Sequence, residues 1–193
     1  MKLILASQSP RRRELLERMG LTEFEIHPAV GEESASPDLT PAQLVEELSR
    51  QKAREVALTA GAQDVIIAAD TVVSADGRVL GKPHSTREAQ EMLRFLSGRT
   101  HTVYTGMTVR CGDRELTQHE ATQVLFRALT DAEIAAYVAT GEPMDKAGAY
   151  GIQGRGCVLV EGIRGDYYNV MGLPVCRLAL MLREFGIEPL VRE

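Results

Sequence analysis

A carboxylate interrupts the most apolar stretch of this 193-residue chain: Asp70 lies within Val65-Ile66-Ile67-Ala68-Ala69-Asp70-Thr71-Val72-Val73. A continuous β-branched run of this kind reads as a strand covered on both faces. An ionised group there loses several kcal/mol of hydration unless a cation or hydrogen bonds compensate. Asp70 is therefore the residue most in need of a chemical reason. A structural Asp that caps a helix or satisfies a turn would meet the same requirement.

Other groups have the types and spacing to complete a site. Ser7-Gln8-Ser9-Pro10-Arg11-Arg12 marks a strand-to-helix junction. Unpaired N–H groups and the positive end of the helix dipole attract anions there, and arginine forks match phosphate oxygens. Arg12 precedes Leu16 by one turn and is expected to face inward, whereas Arg13 should face outward. Lys52 continues the four-residue series Leu44, Leu48, Lys52, Val56, so it must snorkel or meet a counter-charge. Gly81-Lys82-Pro83 places another lysine in a rigid turn. Glu32 or Glu33, together with Asp70, would supply the one or two carboxylates that Mg²⁺ commonly takes from protein. In Gly141–Gly154, small residues allow close approach of a ligand; Gln153 offers a planar amide to a nucleobase edge, and Tyr150 can stack or pack. Singly, each has an ordinary use as a cap, a snorkelling lysine, a solvated acid or a loop residue. Together they are the inventory of a nucleotide-hydrolysing pocket.

The elements that must position these groups can be read from the pattern. Leu3–Ala6 predicts a buried strand, and Ser9 with Pro10 predicts a capped helix start running to Gly20. Residues 21–38 read as irregular, and a helix is expected from Thr40-Pro41 to Leu58. Strand 65–73 leads through the tight-turn signal Asp76-Gly77 into Arg78–Leu80. A helix follows from Ser85 or Thr86 to Gly98, then strands over 101–110 and 116–126. The capping box Thr130–Glu133 opens a helix that stops at Gly141, with a glycine-rich loop to residue 156. Strand-like stretches at 157–163 and 166–171 precede a last helix from Pro174 to about Phe185. This order implies a mixed α/β (α+β) sheet with helices around it, in one domain over 1–193.

Composition limits the alternatives. With 44% hydrophobic and 25% charged residues the chain reads as an ordinary globular protein. A net charge of −5 argues against nucleic-acid binding, and no apolar run is long enough to cross a bilayer. The N-terminal residues do not follow a signal-peptide pattern, since basic Arg11-Arg12-Arg13 comes after the apolar run. Three widely spaced cysteines, Cys111, Cys157 and Cys176, suit a reducing cytoplasm better than a disulfide framework or zinc site.

At these residues the sequence resembles the Maf family of nucleoside triphosphate pyrophosphatases. The resemblance is carried by Ser7–Arg12, Gln51-Lys52-Ala53, Ala69–Val73, Gly81-Lys82-Pro83, Asp145–Gly154 and Asn169–Pro174, in the family's order. The Asp145–Gly154 stretch looks like the branch acting on dTTP and UTP. The resemblance implies a curved mixed sheet in two lobes around a cleft, similar to inosine triphosphatase, commonly as a cytoplasmic homodimer. It implies water attack at the α-phosphorus of a nucleoside triphosphate, releasing the monophosphate and pyrophosphate with a divalent cation, Mg²⁺ or Mn²⁺. Asp70 matches the catalytic carboxylate, and the sequence leaves open whether it removes a proton or ligates the metal. Arg11, Thr71 and Gln153 match positions tied to substrate choice. Ser7, Ser9, Arg12, Lys52 and Lys82 match the rest of the polar pocket, with Glu33 as the second metal carboxylate. Links to nucleotide-pool house-cleaning and to cell-division control are both compatible, and a nucleotide-sensing regulator independent of Asp70 is the alternative of another class.

Overall fold

The short apolar segments condense into strands and the amphipathic ones into helices, in a computed structural model that describes residues 1–32 and 34–190. The order is β1 (Leu3–Leu5), α1 (Pro10–Arg18), β2 (Glu25–Ile26), α2 (Pro41–Ala57), β3 (Val65–Ala75) and β4 (Arg78–Leu80). It continues with α3 (Thr86–Leu96), β5 (Thr100–Cys111), β6 (Arg114–Phe126), α4 (Asp131–Ala139), β7 (Val160–Arg164), α5 (Tyr167–Met171) and α6 (Val175–Arg183). The strands make a seven-stranded mixed sheet in the order β2-β1-β3-β5-β6-β7, with β4 paired to β3. β1 runs parallel to β2 and β3, while β4 and β7 are antiparallel to β3 and β6. The mixed α/β expectation is met.

Two compact units divide the chain: Met1–Asp70 with Thr105–Glu120 and Gly172–Glu193, and Thr71–Tyr104 with Ala121–Met171. In the first, Ile4 and Ala6 of the β1 segment and Ile66 and Ala68 of β3 cluster with Ala53 and Val56 of α2. Side chains two apart on a strand share a face, so Asp70 follows Ile66 and Ala68 on the side that carries α2. Thr40 and Gln43 form a reciprocal capping box that fixes the start of α2. Gly106 lets the same helix approach β5, because a Cβ there would collide with the Val45 backbone. Ser49, Thr108 and Thr117 join it to β5 and β6 through a chain of hydroxyl contacts, each 2.9 Å.

In the second unit, α3 packs on α4 and on the 3-10 turns Glu142–Asp145 and Ala147–Ala149. His101, Phe126 and Tyr150 meet edge to face, with ring centroids 4.7 to 5.3 Å apart.

Four local expectations are corrected. Glu25–Ile26, expected to be irregular, pairs with β1. The glycine-rich stretch expected as plain loop is wound into 3-10 turns, the last being Arg155–Leu159, so the strand expected from 157 begins only at Val160. Residues 166–171 form a helix rather than a strand: the Asp166 side chain accepts from the Tyr168 N–H at 2.8 Å and outweighs the strand preference of Tyr167, Tyr168 and Val170. Ser9 occupies the cap position of α1 without making a side-chain cap. Among the described residues, no helix is long and apolar enough to cross a membrane.

Candidate active site

In the first unit the polar groups collect where β1 leaves the sheet. The β1–β3 register runs from Leu3↔Val65 to Leu5↔Ile67, and the Ala6 N–H still donates to the Ile67 carbonyl at 2.8 Å. Ser7 then turns the chain toward α1, while β3 continues three residues further to Asp70. Both lie just past the last pair of the parallel β1–β3 ladder, on its carboxyl side, the side on which open α/β sheets usually take a ligand.

Ser9 adopts an extended backbone, and its N–H donates to Ser7 Oγ at 3.2 Å. Ser7 therefore organises this turn in place of the cap expected from Ser9. Pro10 occupies the first helical position, as expected. Arg12 faces inward, its Nη1 donating to Ser7 Oγ at 3.2 Å and its Nε to the Gly172 carbonyl at 2.9 Å. Arg13 faces solvent and pairs with Glu17 one turn away. Arg11 stays half-buried at the same helix start.

Lys52 reaches Asp70 across the α2–β3 face, with Nζ 2.5 Å from Oδ1. The Lys52 and Asp70 side chains are only 16% and 13% exposed, so bulk water screens this pair weakly. The buried stripe of α2 centres on Val45, Ser49, Ala53 and Val56, and Lys52 lies at its margin. That margin lets an apolar stem cover the core while its head meets the carboxylate. The lysine on the seam thus has its counter-charge.

Glu33 lies outside the described residues; Glu32 is exposed. Described neighbours on either side are held by α2. The N–H groups of Val30 and Gly31 donate to Glu55 Oε1 at 2.8 and 3.1 Å. Ser34 exchanges hydrogen bonds with Gln51, donating its N–H and accepting from Nε2. Gln51 and Glu55 flank Lys52 in sequence.

Thr71, Lys82 and Gln153 belong to the second unit. Thr71 is half-buried on the face of β3 opposite to Asp70. Lys82 is exposed beside buried Pro83, and the Gly81 carbonyl accepts from the Gly148 N–H at 3.0 Å. Gly148 has φ +69°, and a Cβ there would lie 2.8 Å from Val73 Cγ2. That glycine lets the turn seat against β3 and tie the Lys82 turn in place. Tyr150 is fully packed rather than stacking on a ligand, its hydroxyl 2.8 Å from His101 Nε2. Gln153 is exposed in the following turn.

Two contributors escaped the sequence reading. Glu142 accepts from the backbone N–H groups of Arg155 and Gly156 and from the Tyr137 hydroxyl, a role its place in a glycine-rich run did not signal. The Gly172 carbonyl orients Arg12. In the second unit, buried Asn169 donates to the Val103 carbonyl and to Thr122 Oγ1.

A family model described as Maf-like protein matches residues 2–185. The dTTP/UTP pyrophosphatase of Moorella thermoacetica is 57% identical over 190 residues, covering 97% of this chain and 96% of the relative. That of Bacillus cereus is 49% identical over 187 residues, covering 97% of each. A solved HAM1 protein from Coxiella burnetii shares the fold, with a TM-score of 0.51 at 16% identity over 95% of this chain and 99% of that one. Because the matches run through every polar segment described above and nearly the whole length, the chain belongs to the Maf family.

Proposed function

We propose that this Maf-family protein hydrolyses dTTP and UTP at the α-phosphorus, releasing the nucleoside monophosphate and pyrophosphate. The observation that carries the chemistry is the shielded Asp70–Lys52 pair just past the carboxyl side of the parallel β1–β3 ladder, the side on which the α1 start follows Ser7. The substrate class rests on the two relatives named for dTTP and UTP.

In this reading Asp70 takes the proton of the attacking water as the bond to the α-phosphorus forms. Lys52 offsets the carboxylate charge and fixes its orientation. Arg11, Arg12, Ser7 and Ser9, with the first N–H groups of α1, bind phosphate oxygens. Lys82 adds a further cation for the triphosphate, while Thr71 and Gln153 govern which base is accepted. The donor set fits a hard divalent cation, Mg²⁺ or Mn²⁺: Asp70 uses Oδ1 for Lys52, and a carboxylate retains lone pairs on its other oxygen. Asp70 and Glu33 would hold it, and when bound it neutralises phosphate charge. We further propose a homodimer acting on a small-molecule substrate, and a cytoplasmic location, the latter in keeping with three free cysteines.

The test is a nucleotide panel with purified protein, read by pyrophosphate release with Mg²⁺, with Mn²⁺ and with chelator. dTTP and UTP should turn over at least about tenfold better than CTP, GTP and dATP, and only with metal. Tight nucleotide binding without pyrophosphate release would overturn the reading in favour of a nucleotide sensor.

A further inference from the structure

We propose that Glu142 is a positioning residue that sets base selectivity by holding the loop bearing Gln153; this rests on the assignment of base choice to Gln153. Glu142 follows α4 at the start of a 3-10 turn, with φ +75° at Gly141 before it. Its two oxygens close on the loop from below and beyond Gln153 in sequence. Oε2 accepts from the Arg155 N–H at 2.9 Å, and Oε1 from the Gly156 N–H at 3.1 Å. Oε1 also accepts from the Tyr137 hydroxyl at 2.8 Å, and the same hydroxyl accepts from the Gly151 N–H at 3.0 Å. The backbone is thus gripped at 151, 155 and 156, on both sides of Gln153, by one carboxylate and the phenol it orders.

The space around this grip is closed to larger residues. A Cβ at Gly154 would lie 2.5 Å from Glu142 Oε2. One at Gly156 would lie 2.6 Å from the Gly151 carbonyl oxygen and 2.8 Å from the Tyr137 hydroxyl. At Gly151 it would meet Lys146 Cε at 2.6 Å, and Lys146 Nζ in turn donates to the Glu142 carbonyl. Glycines permit this geometry, yet glycine-rich backbone also loses the most entropy on ordering. Hydrogen bonds to an ionised acceptor are about twice as strong as neutral ones, which suits a carboxylate to this task. Burial pushes the Glu142 carboxyl up, but the Arg155 and Gly156 N–H groups outweigh it and hold the group below the ordinary range. An exposed amide reads a base edge only if its backbone is fixed before the nucleotide arrives.

Glu142→Ala, Glu142→Gln and Tyr137→Phe, alone and with Gln153→Ala, test this in the full chain. In Glu142→Ala the kcat/KM ratio of dTTP to CTP should fall about tenfold, the loss lying in KM for dTTP rather than in kcat. Amide exchange at Arg155 and Gly156 should quicken by about tenfold or more. Glu142→Gln, which keeps the side-chain shape and one acceptor oxygen but sets an NH2 donor against a backbone N–H, should recover only part of the ratio. Tyr137→Phe, which frees the Gly151 N–H but leaves Glu142, should give a smaller loss and remains informative if Glu142→Ala does not fold. On the Gln153→Ala background, removing Glu142 should lower the ratio no further. Unchanged exchange at 155 and 156, or additive losses with Gln153→Ala, would overturn the proposal. A Gln153→Ala protein with an unaltered ratio would instead remove Gln153 from base reading and the selectivity half of the proposal with it. The exchange rates would still decide whether Glu142 holds the loop.

Discussion

Two buried polar centres, one in each unit, meet the cost of burial in opposite ways. Asp70 and Lys52 pair 2.5 Å apart between β3 and α2, each side chain keeping a little contact with solvent. His101 is 2% exposed, edge-on to Phe126 and Tyr150, and its Nε2 pairs with the Tyr150 hydroxyl. Its Nδ1 has no partner among the described residues. Burial pulls the His101 pKa down to about 4, so the ring is neutral at pH 7. The first centre compensates charge with charge; the second removes charge and is closed. The proposed chemistry uses the first. The second holds Tyr150 and, through it, the segment that leads to Gln153.

The largest effect expected from breaking this contrast is on turnover. Asp70→Asn keeps the size of the side chain and a carbonyl oxygen for Lys52 but cannot take a proton at neutral pH. Pyrophosphate release from dTTP should drop by about 10³-fold or more, with a near-native melting temperature. Turnover within a few-fold of the unmodified protein would place the reacting base elsewhere.

Next comes the energy of the pair itself. Lys52→Met removes the cation and strands a shielded carboxylate, at about 3–5 kcal/mol by urea unfolding at pH 7. Adding Asp70→Asn should restore much of that loss, because the double variant has no buried charge to compensate. Equal loss in the single and double variants would show that Lys52 contributes packing alone.

The smallest of the three concerns the closed centre. Between pH 6.5 and about 4 the unfolded chain binds a proton that folded His101 refuses. Stability is complete above the unfolded pKa and declines as pH falls through this window, by on the order of 3 kcal/mol. Unfolding curves across it, with and without His101→Phe, isolate this contribution from that of the carboxylates. Parallel slopes in the two proteins would contradict a neutral buried imidazole.

Legibility in the sequence followed the range of the interaction. The apolar run marked the strand that carries Asp70, and helical spacing put Lys52 in line with Val56. Pro10 marked the start of α1, and Arg12 and Arg13 divided inward and outward as one turn of helix requires. Errors arose where a competing partner lay outside the reading window. Ser9 fits a cap by type, yet its N–H turns back to Ser7 Oγ, which also receives Arg12. Tyr167–Met171 has strand-like residues, but Asp166 supplies a helix start and Asn169 anchors the segment to Val103 and Thr122. Glu142 looked like one more acid in a loop because the N–H groups it accepts lie 13 and 14 residues away.

By itself the chain determined the alternation of elements, the identity of its charged groups and the family pattern they follow, since these depend on local periodicity and residue type. Tertiary structure alone decided which charges meet. A carboxylate is tolerated at position 70 because α2 brings an ammonium within 2.5 Å of it, and that helix is seated, in part through its Ser49, on Gly106 and Thr108 of a strand far along the chain. The physical reason is that desolvation is local to a residue, whereas the cation that offsets it arrives only when distant segments pack.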